Sequence, residues 1–120
     1  MASSLDLQAL HSAFLKGAGH IAWPHQLDAV ASILGRLEGH DSRLCKQNFL
    51  VQHSTGSGKS LTMALLSWAL GHLCSSHFVL VLLLSDRVQL DQQLGDVCSS
   101  FLLRNGVPRR AVRRCDRVGQ

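Results

Sequence analysis

The sequence has little of what keeps a chain unfolded or fibrous. Of 120 residues only two are proline and ten are glycine, while 46% are hydrophobic and 17% charged. This excludes a disordered or collagen-like segment and leaves enough apolar material for a core. The four cysteines, Cys45, Cys74, Cys98 and Cys115, include no C-x-x-C pair. Neither a zinc knuckle nor a dithiol redox motif fits that spacing, and free thiols in a reducing compartment are expected. The seven histidines show no metal-ligand spacing either. The amino terminus, MASSLDLQALHSAFLKG, lacks a cationic start followed by an apolar block, so no secretory signal is read. The most apolar stretch, Leu61 to Leu84, is broken by Gly71, His72, Ser75, Ser76 and His77. Neither half reaches the roughly 20 residues of a membrane span, so no membrane partner is expected and the compartment reads as cytoplasmic or nuclear. Internal repeats and low-complexity segments are absent. The length suits one small domain and excludes a complete multi-domain motor.

Charge is present but unevenly placed. The formal net charge is +4, yet from Arg104 onward six arginines face a single acid, Asp116. The preceding residues carry six basic and seven acidic groups, so the basicity belongs to the tail. Such a tail is either a solvated end or a contact for phosphates, which the planar guanidinium fork suits. Arg109, Arg110, Arg113 and Arg114 are its candidate nucleic-acid residues.

Hydrophobic spacing divides the rest. Ser3 or Ser4 can cap a first helix in which Leu5, Leu7, Leu10, Phe14 and Leu15 fall near one face, and Gly17 to Gly19 should stop it. Pro24 suits the first turn of a second helix, with Leu27, Val30, Ala31, Leu34 and Leu37 at helical spacing until Gly39. After a polar loop, the run Asn48-Phe49-Leu50-Val51-Gln52 reads as a buried strand. HSTGSGKS, His53 to Ser60, follows it, and then Leu61 to Leu73, apolar nearly all round, reads as a helix buried on several sides. His77 to Leu84 has the continuous apolar pattern of a parallel strand covered on both faces. A last helix is expected from Arg87 to about Leu103, ended by Asn105-Gly106. The implied division is an N-terminal helix and linker over 1–22, a nucleotide-binding domain over 23–103 and a basic tail over 104–120.

A strand, a glycine-bearing loop ending in Lys-Ser, and a helix make the setting of a phosphate-binding loop. Gly56 and Gly58 let the backbone turn its amides inward at a helix N-terminus, where partial positive charge favours an anion. Thr55, Gly56, Ser57, Gly58, Lys59 and Ser60 are the candidate binding residues. Lys59 can reach the β and γ phosphates of ATP, and Ser60 can place its hydroxyl on Mg²⁺. The strict pattern places glycine at position 53, where this chain has His53. Trp23 and Trp68 read as core residues.

The string STGSGKS resembles the first motif of superfamily 2 helicases and translocases, and HSTGSGKSLTM looks like the motor subunit of type I restriction enzymes. Upstream, WPHQLDAV, Trp23 to Val30, resembles the segment in which those motors place an adenine-reading glutamine, which implies that role for Gln26. The arginine usual ahead of that glutamine is replaced around Trp23-Pro24. As a plain helix residue, Gln26 would be a surface glutamine. Downstream, VLVLLLSDRVQLDQQL resembles the family's next strand and loop, with Asp86, Arg87, Leu90 and Gln93 at matching positions. There Arg87 either contacts a nucleic-acid backbone or pairs with Asp91 at i+4. The resemblance spans about Trp23 to Leu94. It implies an α/β fold, a partial RecA-like three-layer αβα with N-terminal helices and an incomplete parallel sheet.

Hydrolysis in this class also needs an acidic strand end and an arginine finger. After Leu94 the only acids are Asp96 and Asp116, and neither follows an apolar strand. No catalytic residue is assigned. The expectation is therefore a truncated, ATP-binding piece of a motor domain that does not hydrolyse ATP alone, with ATP, DNA and the missing remainder of the motor as its partners. Two alternatives stay open. One is a small nucleic-acid or partner-binding protein using the loop as a sensor, and the other is an interaction remnant without a ligand.

Overall fold

A computed structural model describes residues 6–38, 48–54, 56, 58–73, 81–84 and 88–113. Four helices carry the described core: α1 (Leu7–Ala18), α2 (Pro24–Glu38), α3 (Lys59–Leu73) and α4 (Val88–Arg104). A short 3-10 turn, Arg109–Ala111, follows in the tail.

In α1 the buried residues Leu10, Ala13, Phe14 and Gly17 repeat at three- and four-residue steps, the spacing of one helical face. The cap is Asp6 rather than Ser3 or Ser4: its Oδ1 accepts the Ala9 N–H at 2.8 Å, satisfying one of the amides that have no partner within the helix. Gly19, at φ 85°, ends the helix by donating its N–H to the Leu15 carbonyl. Leu7 and Leu15, expected on the inner face, are about half exposed. Gly17 does not stop the helix. It lies inside it, where a Cβ would come within 2.6 Å of the Phe101 ring.

Helix α2 begins at Pro24 as expected and buries Gln26, Val30, Leu34 and Leu37. Helix α3 is the centre. Ala64, Leu65 and Ala69 are fully buried, Leu61, Met63, Leu66, Trp68 and Leu70 pack around them, and the helix touches α1, α2 and α4. A helix enclosed by three others needs apolar residues on every side, which explains its near-uniform hydrophobicity. Helix α4 contributes Leu94, Cys98 and Phe101. The Phe14 and Phe101 rings meet edge to face, with centroids 6.0 Å apart. Where α1 and α4 meet near their C-terminal ends, Asn105 Nδ2 donates to the Ala13 carbonyl at 3.0 Å, and Arg104 Nη1 donates to that of Gly17 at 3.1 Å.

The expectation of an α/β, RecA-like three-layer αβα with a parallel sheet is corrected: the described residues form helices and no strand or sheet. Residues 48–52 and 81–84, assigned to strands in that scheme, belong to no regular element. Their side chains show why. Leu50 is 92% exposed, and Leu82 and Leu84 are 63% and 68% exposed, so these side chains of the apolar runs that were read as buried face solvent. A strand exists only through hydrogen bonds to a neighbour, and among the described residues neither run has one. The first half of the second run, residues 77–80, lies outside the described residues. Leu83 alone of 81–84 packs against the helical core. Trp23, expected in the core, is 52% exposed, whereas Trp68 packs against it.

Candidate nucleotide site

The site is built where α2 starts, where α3 starts, and on the loop that leads into α3. Gly56 and Gly58 adopt φ of 82° and 79°, left-handed values that residues with a side chain rarely take. Lys59 is the first residue of α3 and is exposed, and Ser60 beside it is half-buried. In the first turn of a helix the amide N–H groups have no intrahelical acceptor, and the helix dipole concentrates positive potential there. Thr55 and Ser57 lie outside the described residues.

One atom organises the junction. The Gly58 carbonyl oxygen accepts three hydrogen bonds: from the Thr62 N–H at 3.1 Å, from Thr62 Oγ1 at 3.1 Å and from Gln26 Nε2 at 3.0 Å. A Cβ at Gly58 would run into the Gln26 amide, so glycine is required here for space as well as for φ. Gln26 is 3% exposed. Its Oε1 accepts the Trp23 N–H at 2.9 Å, the back-bond that a glutamine at the third helical position makes to the capping residue. With Pro24 at the first position, the string Trp-Pro-His-Gln is a complete helix start. The expected adenine reader is thus held inside the protein by both ends of its amide.

A second contact ties α2 to the loop. The His25 and His53 rings meet edge to face with centroids 4.7 Å apart, and Trp23 lies against His25 at 5.3 Å. His53, the departure from the strict loop pattern, is therefore a packing residue. From α4, Cys98 Sγ lies 4.0 Å from the Ser60 carbonyl oxygen. Burial pushes the Cys98 thiol up to about 11, so it stays neutral below strongly alkaline pH.

Of the sequence-derived residues, the structure brings Gln26, Gly58, Lys59 and Ser60 together, with Gly56 on the approach. Arg109, Arg110 and Arg113 are exposed on the 3-10 turn and just after it. Arg87 and Arg114 lie outside the described residues. The Gln26–Gly58 bond and the His25–His53 contact were not foreseen. The first was within reach, since a glutamine two residues after Pro24 signals a capping side chain.

Left-handed glycines running into a lysine at a helix start have the form in which phosphate-binding loops are built. The chain belongs to the SWI2/SNF2 ATPase family, whose family model matches residues 25–116. No curated protein and no solved structure matches the chain. Among the described residues, no helix is long and apolar enough to cross a membrane.

Proposed function

We propose that this chain binds Mg·ATP at the loop from Thr55 to Ser60. The observation that carries the reading is the junction at Gly58: a left-handed glycine whose carbonyl is drawn back into α2 and α3, directly before an exposed lysine at the start of a helix. Membership of an ATPase family supports ATP as the nucleotide.

The residues present fit the ligand. The phosphate chain is an extended anion. The α3 start offers main-chain donors with partial positive charge, and the exposed Lys59 supplies a full charge that can reach the terminal phosphates. Ser60 is the residue to hold Mg²⁺. When bound there, the ion would neutralise phosphate charge. The chain's part is to hold the triphosphate in one geometry.

Hydrolysis is not part of the proposal. The sequence has no acidic pair after an apolar run to hold the metal and orient water, and binding without turnover is expected of this chain alone. The string HSTGSGKSLTM supports a narrower parentage with type I restriction motor subunits. The exposed Arg109, Arg110 and Arg113 favour contact with a nucleic-acid backbone as a second, separable property, one that should weaken as salt rises.

The test is a titration with a fluorescent ATP analogue and Mg²⁺, on wild type and Lys59→Ala, after circular dichroism has shown both folded. Loss of the lysine should weaken binding about 10- to 100-fold, the worth of one hydrogen bond to a charged group. Equal binding by the two proteins would refute the site.

A further inference from the structure

We propose that the groove between the outer face of α2 and residues 48–53 is a docking site for a short extended peptide that carries a basic, an apolar and an acidic residue at alternate positions. It is separate from the nucleotide reading and stands or falls on its own.

Helix α2 lays two rows of side chains along this groove, each stepping by four residues, the spacing that stacks side chains on one helix face. His25, Ala29 and Ile33 are half-buried and form the inner row. Asp28, Ser32 and Arg36 are exposed and form the outer row. Phe49 and Val51 supply apolar surface from the other segment. The His25 and His53 rings, 4.7 Å apart, join the two sides at the start of α2. The cavity holds about 450 Å³, within the range of ligand sites.

The outer row ends in opposite charges. Among the described residues, neither Asp28 nor Arg36 has an ion-pair partner. Eight residues of helix separate them, a rise of about 12 Å. The amine and carboxylate of a single amino acid lie far closer together, so a small zwitterion cannot meet both. An extended chain turns every second side chain to the same side and advances about 13 Å over four residues. A peptide can therefore set a basic first residue at Asp28, an apolar third residue on Ile33 and Val51, and an acidic fifth residue at Arg36. The Ser32 hydroxyl, between the charges, can donate to or accept from the peptide's main chain. A polyanion such as a nucleic-acid backbone would satisfy Arg36 and be repelled at Asp28. Complementary charge of this kind sets which partner is chosen.

The experiment uses the full chain, labelled with nitrogen-15, and three peptides blocked at both ends: Lys-Ser-Leu-Ser-Glu, Lys-Ser-Leu-Ser-Lys and Glu-Ser-Leu-Ser-Glu. Each is titrated into wild type, Asp28→Lys and Arg36→Glu, after circular dichroism has shown all three folded; both positions are exposed. Wild type should bind the mixed peptide about tenfold more tightly than either like-charged one, the scale of one charge pair at a contact. Its shifted amides should fall on α2 and residues 48–53. Asp28→Lys should move the preference to the doubly acidic peptide, and Arg36→Glu to the doubly basic one. The chain's net charge of +4 makes non-specific attraction favour the doubly acidic peptide, and Arg36→Glu leaves the chain net positive. If the doubly acidic peptide is the best ligand of all three proteins, attraction is non-specific and the proposal fails. A preference that neither substitution moves, shifts confined to other elements, or no binding of the mixed peptide by wild type would also overturn it.

Discussion

Two glycines in this molecule are pressed by a side-chain amide, and they mean different things. At the α1–α4 junction, Asn105 Nδ2 donates to the Ala13 carbonyl, and a Cβ on Gly17 would meet both Asn105 and the Phe101 ring. At the α2–α3 junction, Gln26 Nε2 donates to the Gly58 carbonyl, and a Cβ on Gly58 would meet Gln26. The device is the same: an amide grips main chain where no side chain intervenes. Gly17, however, is inside a helix and is not one of the left-handed glycines, and its surroundings are aromatic core. Gly58 has φ 79° and precedes the unpaired amides of a helix start and an exposed lysine. A glycine needed only for space marks close packing. A glycine needed for space and for a left-handed turn, at a helix N-terminus, marks a place built to present main-chain donors.

The comparison can be broken at either junction. The largest expected effect on stability is at the packing one: Gly17→Val drives branched carbon into the Phe101 ring and should cost about 1–3 kcal/mol, the range of core overpacking. Urea denaturation measures this, and nucleotide affinity of the folded fraction should be unchanged. If Gly17→Val altered affinity as much as Lys59→Ala, the two junctions would not be separable. Asn105→Ala removes the bonds to Ala13 and Phe101 and should cost about 1 kcal/mol, as for a typical hydrogen bond, again without effect on binding.

The smallest effect is a pH dependence at Cys98. The folded thiol is raised to about 11 from an ordinary 9.0. Between those values the unfolded chain has released its proton while the folded chain keeps it. The unfolded state therefore binds fewer protons, and stability falls as pH rises from about 9 through about 11. Denaturation of wild type and Cys98→Ala across that window checks it: the wild type should lose stability more steeply, and parallel curves would refute the assignment.

The helices were legible because their signals are local. Pro24, the spacing of Val30, Leu34 and Leu37, and the uniformly apolar α3 each specify a helix without reference to distant residues. The last helix ran within one residue of its expected ends, Val88–Arg104. The strands were misread because an apolar run such as Asn48-Phe49-Leu50-Val51 carries no period that separates a covered strand from an uncovered segment. A strand depends on a partner, and Leu50 at 92% exposure has none over it. The loop was legible by motif, and Gln26 was singled out by resemblance. Its bond to Gly58 was not legible, since contact between residues 26 and 58 is a property of how α2 docks on α3. The Gly17–Phe101 contact escaped for the same reason: a glycine in a helical pattern reads as a stop unless the opposing ring is known.

The most direct measurement is calorimetric titration of Mg·ATP into wild type, Asn105→Ala and Lys59→Ala, with melting temperature recorded on each sample. The expected result is binding by the first two with the melting temperature lowered only in Asn105→Ala, and binding weakened about 10- to 100-fold in a Lys59→Ala protein that melts like the wild type. Equal affinity in all three proteins, or none in a folded wild type, would contradict the assignment of the Gly58–Lys59 junction as the nucleotide site.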